Sequence, residues 1–329
     1  MFDLGKIDQF LESLKSAKND DELRILFATY DCQYDLSVPS DPTSDEYRQK
    51  QFELYESLAG KKYTDANEVS EFDVDTATLS PFPYCHGSSD TVGNQLMAIG
   101  YVIKTLGLPK GSKILEFGPG WGNTTIALAK MGYEVTAVDI EKNFCDLITK
   151  RAELERLNIK VVNSGFDSIT EIDEKFDAIL FFECFHHAEN HLQLISEFDR
   201  VLNPGGKVCF AAEPITPDFP LPWGLRMDGE SIWAIRKNGW LELGYNTKYF
   251  EQVMNRYGWL LTFNNGVDSP WSNTIIAARK TEFSRSFFVE DGCLKTLVGR
   301  VNRSIIKTAG EEGCLVYGPY VSLPKGEWK

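Results

Sequence analysis

The chain has 329 residues, 43% hydrophobic and 25% charged, with a formal net charge of −14, the balance of a globular chain able to bury a large core in one to three domains. No apolar run approaches the roughly 18 residues of a membrane span, Met1-Phe2-Asp3-Leu4-Gly5-Lys6 is not a secretory signal, and the seven cysteines are scattered with no C-x-x-C pair, which fits reduced thiols in a cytoplasm rather than a disulfide framework or zinc knuckle. Residues 1–80 hold 8 Lys and Arg against 18 Asp and Glu, a net of −10, and this acidity argues against a nucleic-acid substrate, whose phosphates need a basic face.

Apolar residues at helical spacing (Phe2, Ile7, Phe10, Leu11, Leu14, then Leu23, Ile25, Leu26, Phe27) predict two short helices in residues 1–30, broken near Asn19-Asp20-Asp21. Residues 31–45 read as a loop. Ser44-Asp45-Glu46 then caps a helix through Leu58 that ends at Ala59-Gly60-Lys61-Lys62. Residues 63–83 look irregular, and a helix spans Ser89–Leu106. From there strands and helices alternate: strands at Lys113–Phe117, Glu134–Ile140, Lys160–Asn163, Phe176–Glu183 and Lys207–Ala212, with helices at Asn123–Met131, Asn143–Leu157, near Ile169–Ile172 and at Glu189–Leu202. Helix Thr247–Tyr257 precedes two strands with no helix between them, Trp259–Asn264 and Asn273–Arg279. This order predicts an α/β fold, a Rossmann-like doubly wound sheet of seven strands with helices on both faces. Three segments are expected: a helical cap at 1–80, the α/β domain at 81–281, and a β-rich extension at 282–329 that continues past Lys329.

The most informative segment is Glu116-Phe117-Gly118-Pro119-Gly120-Trp121-Gly122, between the first strand and its helix. Glycines at alternate positions permit a tight turn and a close ligand. A dinucleotide fingerprint would need a third glycine where Asn123 stands, so the pattern is E-x-G-x-G-x-G. The carboxylate of Glu116 beside the loop suits a cationic nucleoside without phosphates. Asp139, at the end of the next strand, stands where an acid can take two ribose hydroxyls.

This combination resembles motif I of the class I S-adenosylmethionine (SAM) methyltransferases. The resemblance implies SAM as cofactor and S-adenosylhomocysteine as product. It implies that Glu116 and Gly118 face the methionine part of SAM, with Pro119, Gly120, Gly122 and Asn123 completing the loop. Asp139 would hold the ribose, Ile140 and Phe166 would flank the adenine, and Asp167 would accept from its amino group. Glu183, at the end of the fourth strand, is counted with the cofactor set. Further stretches, among them Asn67-Glu68, Phe82-Pro83-Tyr84, Phe181–His187, Ala212-Glu213-Pro214-Ile215 and Pro222-Trp223-Gly224-Leu225-Arg226, resemble a bacterial methyltransferase family associated with glycosyltransferases. That resemblance implies O-methylation of a sugar hydroxyl in a surface glycan or its precursor. The Gly318-Pro319-Tyr320 to Leu323-Pro324 stretch resembles β-sandwiches appended to bacterial glycan-modifying enzymes, and would meet a glycosyltransferase or glycan-assembly partner.

Three of the four histidines follow the fourth strand, which ends beside the transferable methyl in this fold. A hydroxyl must lose its proton as it attacks, and a neutral imidazole can take it. His186 or His187 is the expected base, with His186 slightly preferred, and His191 is expected on the surface. Glu213 is expected to bind a substrate hydroxyl or orient a histidine. A metal held by His187 and His191 or by Glu183 and Glu213 is the lesser reading, and none is expected. Residues 216–245 read as a substrate lid offering Trp223, Arg226, Trp233 and Arg236, or as a small subdomain closing its own core. Pro83–Gly87 is expected to cover the cofactor. Two rivals stay open: a small-molecule or lipid-linked methyltransferase, and a non-catalytic SAM-binding scaffold.

Overall fold

The computed structural model describes residues 3–30, 37–80, 88–266, 273–279, 299–302 and 305–308. They fall in two compact units, 1–279 and 280–329. The strands in chain order are β1 (Lys113–Phe117), β2 (Glu134–Asp139), β3 (Ile159–Asn163), β4 (Phe176–Phe182), β5 (Leu202–Ala211), β6 (Ile215–Thr216), β7 (Trp223–Leu225), β8 (Leu243–Asn246), β9 (Trp259–Asn264), β10 (Thr274–Arg279), β11 (Gly299–Asn302) and β12 (Ile305–Thr308). The helices are α1 (Leu4–Leu14), α2 (Asp20–Phe27), α3 (Asp45–Ala59), α4 (Val74–Leu79), α5 (Ser89–Leu106), α6 (Asn123–Lys130), α7 (Lys142–Glu155), α8 (His191–Val201), α9 (Gly229–Trp233) and α10 (Thr247–Arg256).

Seven strands form one sheet in the order β3-β2-β1-β4-β5-β10-β9, parallel except that β10 runs antiparallel to both neighbours. Alternation along β4 sends Ile179 and Phe181 to one face and Ala178 and Leu180 to the other. On the first face Phe117, Phe181 and Phe210 stack across β1, β4 and β5 with centroids 5.5 Å apart in each pair. They stand opposite one another in the register. Each such buried ring contributes roughly 2 kcal/mol, so the ladder holds the strand ends level where a ligand would sit. Phe198 of α8 and Phe250 of α10 close over it. The other face packs Val102, Leu106 and Leu128 from α5 and α6.

Local signals in the N-terminal segment were read correctly. The Asn19 side chain accepts from Glu22 N–H, Ser44 accepts from Tyr47 N–H, and Gly60 ends α3 at φ +73°. Two expectations need correction. Residues 63–80 are not irregular throughout: a 3-10 turn at Asp65–Asn67 leads to α4, capped by Asp73 and packed on α7. With six residues and a β-branched start, α4 leaves little periodicity to read. The strand expected at Lys207–Ala212 starts earlier, at Leu202, which pairs with Phe176 before the ladder resumes at Lys207 opposite Ala178.

Residues 215–246 form a small sheet, β6-β8-β7, with α9 and a π turn at Ala234–Asn238. The first helical segment packs on it: Tyr47 Oη donates to Trp223 O at 2.7 Å and Tyr55 Oη to Gly239 O at 2.5 Å. In the second unit β11 and β12 form an antiparallel hairpin. The Pro83–Gly87 cover, with His86, and the Gly318–Pro324 stretch lie outside the described residues. Among the described residues, no helix is long and apolar enough to cross a membrane.

Candidate active site

A cavity of about 840 Å³ opens at the carboxyl ends of β1 to β4, the edge where open α/β sheets take ligands. Its floor is the glycine loop. Gly118 has φ +55°, and a Cβ there would lie 2.5 Å from Cys184 Cβ. Gly120 has φ +51° with nothing within 4 Å of an added Cβ, so its backbone faces the open cavity. Above the loop, Phe72 from the N-terminal segment packs on Trp121 at 4.6 Å and on Phe144 at 5.1 Å.

Of the expected cofactor residues, Gly118, Pro119, Gly120, Asn123, Asp139, Ile140, Phe166, Asp167 and Glu183 line the cavity. Asp139 Oδ2 accepts from Gly120 N–H at 2.9 Å and Oδ1 from Glu141 N–H at 2.8 Å, so it braces the loop with a lone pair to spare on each oxygen. Burial pushes its carboxyl up to about 6, against those two hydrogen bonds. Phe166 serves both readings: it lines the cavity and packs on Phe117 at 5.7 Å.

Glu116 and Gly122 are placed differently from expectation. Neither is a lining residue. Glu116 is 1% exposed beneath the loop, where Oε2 accepts from Thr125 Oγ1 at 2.6 Å and Oε1 has no partner. Desolvation pushes its carboxyl up to about 7. At Gly122 a Cβ would lie 2.5 Å from Ile148 Cγ1, so this glycine serves loop–helix packing.

After β4 the chain turns sharply. Glu183 adopts φ +52°, a left-handed conformation that costs a non-glycine residue roughly 1–2 kcal/mol. Its carboxylate opens into the cavity, and the enclosing protein pushes it up to about 7. The 3-10 turn Phe185–His187 follows. Glu213 lies beneath that turn, accepting from Cys184 N–H at 2.8 Å, Phe185 N–H at 2.8 Å and His186 N–H at 3.2 Å, and pairing with His186 Nδ1 at 2.8 Å. Of its two expected roles, the geometry supports orienting a histidine; Glu213 does not line the cavity.

The preference for His186 as base does not survive this geometry. His186 is 7% exposed and absent from the cavity wall. Its Nε2 lies 3.5 Å from Glu242 Oε2, which is 3.3 Å from Arg226 Nη1. Burial disfavours the charged imidazole, but hydrogen bonds to Glu213 and Glu242 outweigh it and raise the pKa to about 10. His186 is therefore an imidazolium with no proton to gain. His187 lines the cavity, with its Nδ1 buried and without a hydrogen-bond partner. His191 is not on the surface: it is 2% exposed, bonded to Tyr249 Oη at 2.9 Å, and held neutral by burial that lowers its pKa to about 3.

His186, His187 and Glu242 bring one ligand atom each within 4.8 Å of one another, a grouping able to hold a metal ion. The competing arrangement is the charge chain itself. Glu213 and Glu242 are balanced by the His186 and Arg226 cations, which leaves little net charge to attract a further one.

The expected lid divides in two. Trp233 lines the cavity. Trp223, Arg226 and Arg236 do not: Trp223 is 2% exposed, with Nε1 donating to Pro42 O at 2.7 Å, Arg226 pairs with Asp228 and Glu242, and Arg236 pairs with Asp8 at 3.1 Å. Residues 216–245 thus close a core of their own and present one wall to the cavity. Sequence reasoning missed the wall that adjoins it, which includes Phe27, Tyr63, Asp65 and Glu68. Its one signal was Asn67-Glu68, read as a mark of subfamily.

Residues 115–210 match the family model described as Methyltransferase domain. The ubiquinone biosynthesis O-methyltransferase of Coxiella burnetii is 32% identical over 102 residues, 31% of this chain and 44% of that protein. The demethylmenaquinone methyltransferase of Staphylococcus aureus is 32% identical over 130 residues, 38% of this chain and 53% of that protein. The chain spans about half the length of the curated relatives it matches. A solved SAM-dependent methyltransferase from Aquifex aeolicus is 18% identical, covering 64% of this chain and 98% of that one with a TM-score of 0.43. Sheet order and domain match agree: residues 115–210 match a methyltransferase domain and lie in a sheet of the Rossmann-like class I methyltransferase type.

Proposed function

We propose that the chain transfers the methyl group of SAM to a hydroxyl of a polar ring acceptor, a sugar of a surface glycan or its precursor, with His187 taking the proton. The supporting observation is the make-up of the cavity that His187 lines. Asp65, Glu183 and Glu230 line it together with Tyr63, Trp233 and Trp240. Carboxylates accept from several hydroxyls, and flat rings cover the apolar face of a sugar. The hydroxyl oxygen attacks the methyl carbon in line with the C–S bond. That bond breaks, its electron pair returns to sulfur to leave neutral S-adenosylhomocysteine, and the hydroxyl proton passes to the imidazole. A glycan-assembly partner would enter through the 280–329 unit.

A phenolic acceptor is the second reading, favoured by the name of the Coxiella burnetii relative. Incubation with methyl-labelled SAM separates the two. Label in hexoses, hexosamines or glycan fragments supports the first, and label in catechols or hydroquinones alone replaces it with the second. Tight SAM binding with no acceptor labelled in either set favours a scaffold.

A further inference from the structure

The N-terminal segment supplies a carboxylate that the reaction as proposed has not yet used. Glu68 Oε1 accepts from Leu241 N–H at 2.8 Å, which pins the side chain to the 215–246 subdomain. The Tyr63 hydroxyl bonds to the same carboxylate. The other oxygen of Glu68, Oε2, lies 3.6 Å from His187 Nδ1, the buried ring nitrogen without a hydrogen-bond partner. Both side chains line the cavity, the histidine 21% and the glutamate 13% exposed. A separation of 3.6 Å is beyond a hydrogen bond, and a ring movement of under about 1 Å closes it, as catalytic contacts commonly tighten when the acceptor binds.

We infer that Glu68 is the positioning residue for His187: it accepts a hydrogen bond from Nδ1–H, fixes the ring, and leaves Nε2 as the lone pair that receives the acceptor's proton. This rests on the reading of His187 as proton acceptor. A carboxylate behind an imidazole selects one tautomer and stabilises the imidazolium that forms. Activity then depends on residues 63–68, outside the 115–210 domain. The other groups facing His187 are the His186 imidazolium, with ring centroids 4.2 Å away, and the carboxylates of Glu242 and Asp139. Glu68→Gln removes one negative charge and leaves these in place, and its amide oxygen still accepts from Leu241.

The test uses full-length protein with ¹⁵N-labelled histidine rings, loaded with S-adenosylhomocysteine, and His187 assigned by its loss in His187→Gln. Wild type is expected to show the Nδ1–H tautomer, with Glu68→Gln shifting the ring towards the Nε2–H tautomer and Glu68→Asp falling between. An identical tautomer in wild type and Glu68→Gln overturns the pairing. On an acceptor that wild type methylates, Glu68→Gln is expected to lower kcat about tenfold with KM nearly unchanged, and to move the acid limb of kcat/KM to lower pH. Full turnover in His187→Gln removes the proton-acceptor reading and Glu68's role with it. Turnover lost in His187→Gln but retained with an unmoved pH profile in Glu68→Gln removes only the latter.

Discussion

The buried chain Glu213–His186–Glu242–Arg226 makes a quantitative prediction about stability against pH. Its two carboxylate partners raise the pKa of folded His186 to about 10, against an ordinary imidazole value of 6.5. The folded state therefore holds this proton more tightly than the unfolded state. Its contribution is fully present below pH 6.5 and is lost as pH rises through 10. At 1.36 kcal/mol per unit the interval sets a ceiling of about 5 kcal/mol, and breaking a buried ion pair costs about 3–5 kcal/mol. His186→Gln keeps neutral hydrogen bonds and forfeits the charge. At pH 6 it is expected to lower Tm by about 6–10 °C, taking about 2 °C per kcal/mol for a unit of this size. The gap should close towards pH 10, where the wild-type imidazole is also becoming neutral. Comparing variant with wild type cancels Glu116 and Asp139, whose carboxyls are raised to about 7 and about 6 in both, whereas Glu183, which the His186 charge holds down, rises further in the variant. Differential scanning calorimetry from pH 6 to 10 decides it. A gap that stays constant across that range, or no gap at pH 6, refutes the imidazolium assignment.

As the proposed ribose ligand, Asp139 accepts hydroxyls strongly only when ionised, and its raised carboxyl becomes protonated as pH falls through about 6; SAM affinity by titration calorimetry should weaken on that side. Asp139→Asn should bind SAM roughly 10- to 100-fold more weakly, the worth of a hydrogen bond to a charged group, with no inflection near pH 6. Gly118→Ala meets both a positive φ and Cys184 Cβ at 2.5 Å, so thermal unfolding should show a loss of about 1–3 kcal/mol. Trp223→Ala should cost about 3–5 kcal/mol of stability, because the ring is buried against Tyr47 at 5.2 Å and His191 at 4.9 Å. Trp233→Ala should spare most of that stability and raise the acceptor KM, which places the two tryptophans on opposite sides of the subdomain. Equal losses of stability in both would contradict that placement.

The central fold was legible because each of its elements announces itself locally. The apolar runs of β1 and β4, the helical spacing of α5, the break at Asn19 and the cap at Ser44 act within a few residues of chain. The floor of the cavity was legible for the same reason: a glycine loop between strand and helix, then an acid at the next strand end. The wall built from the N-terminal segment was not. Tyr63 and Glu68 reach the cavity only because α3 packs on the 215–246 subdomain, through Tyr55 on Gly239 and Gln51 on Leu225. Those pairings join residues 174 or more apart in the chain, and no local periodicity encodes them. Trp223 and Trp233 read alike for the same reason, since which face of the subdomain each occupies is settled by tertiary packing.

His186 and His187 mark the limit most closely. They are adjacent and chemically identical, and both follow the strand that ends beside the methyl position. Successive residues of a 3-10 turn point about 120° apart, so one register step separates a ring over Glu213 from a ring on the cavity wall. What sets that register is Glu213 itself, whose carboxylate gathers three backbone N–H groups of residues 184–186. Glu213 reaches them because Ala212, at φ +53°, turns the chain just past β5. Which histidine faces the cavity is thus decided by a residue that does not line it, through a left-handed alanine that gives no sequence signal. Glu213→Gln should therefore disturb the site through the turn, weakening three charge-assisted hydrogen bonds and loosening both histidines together.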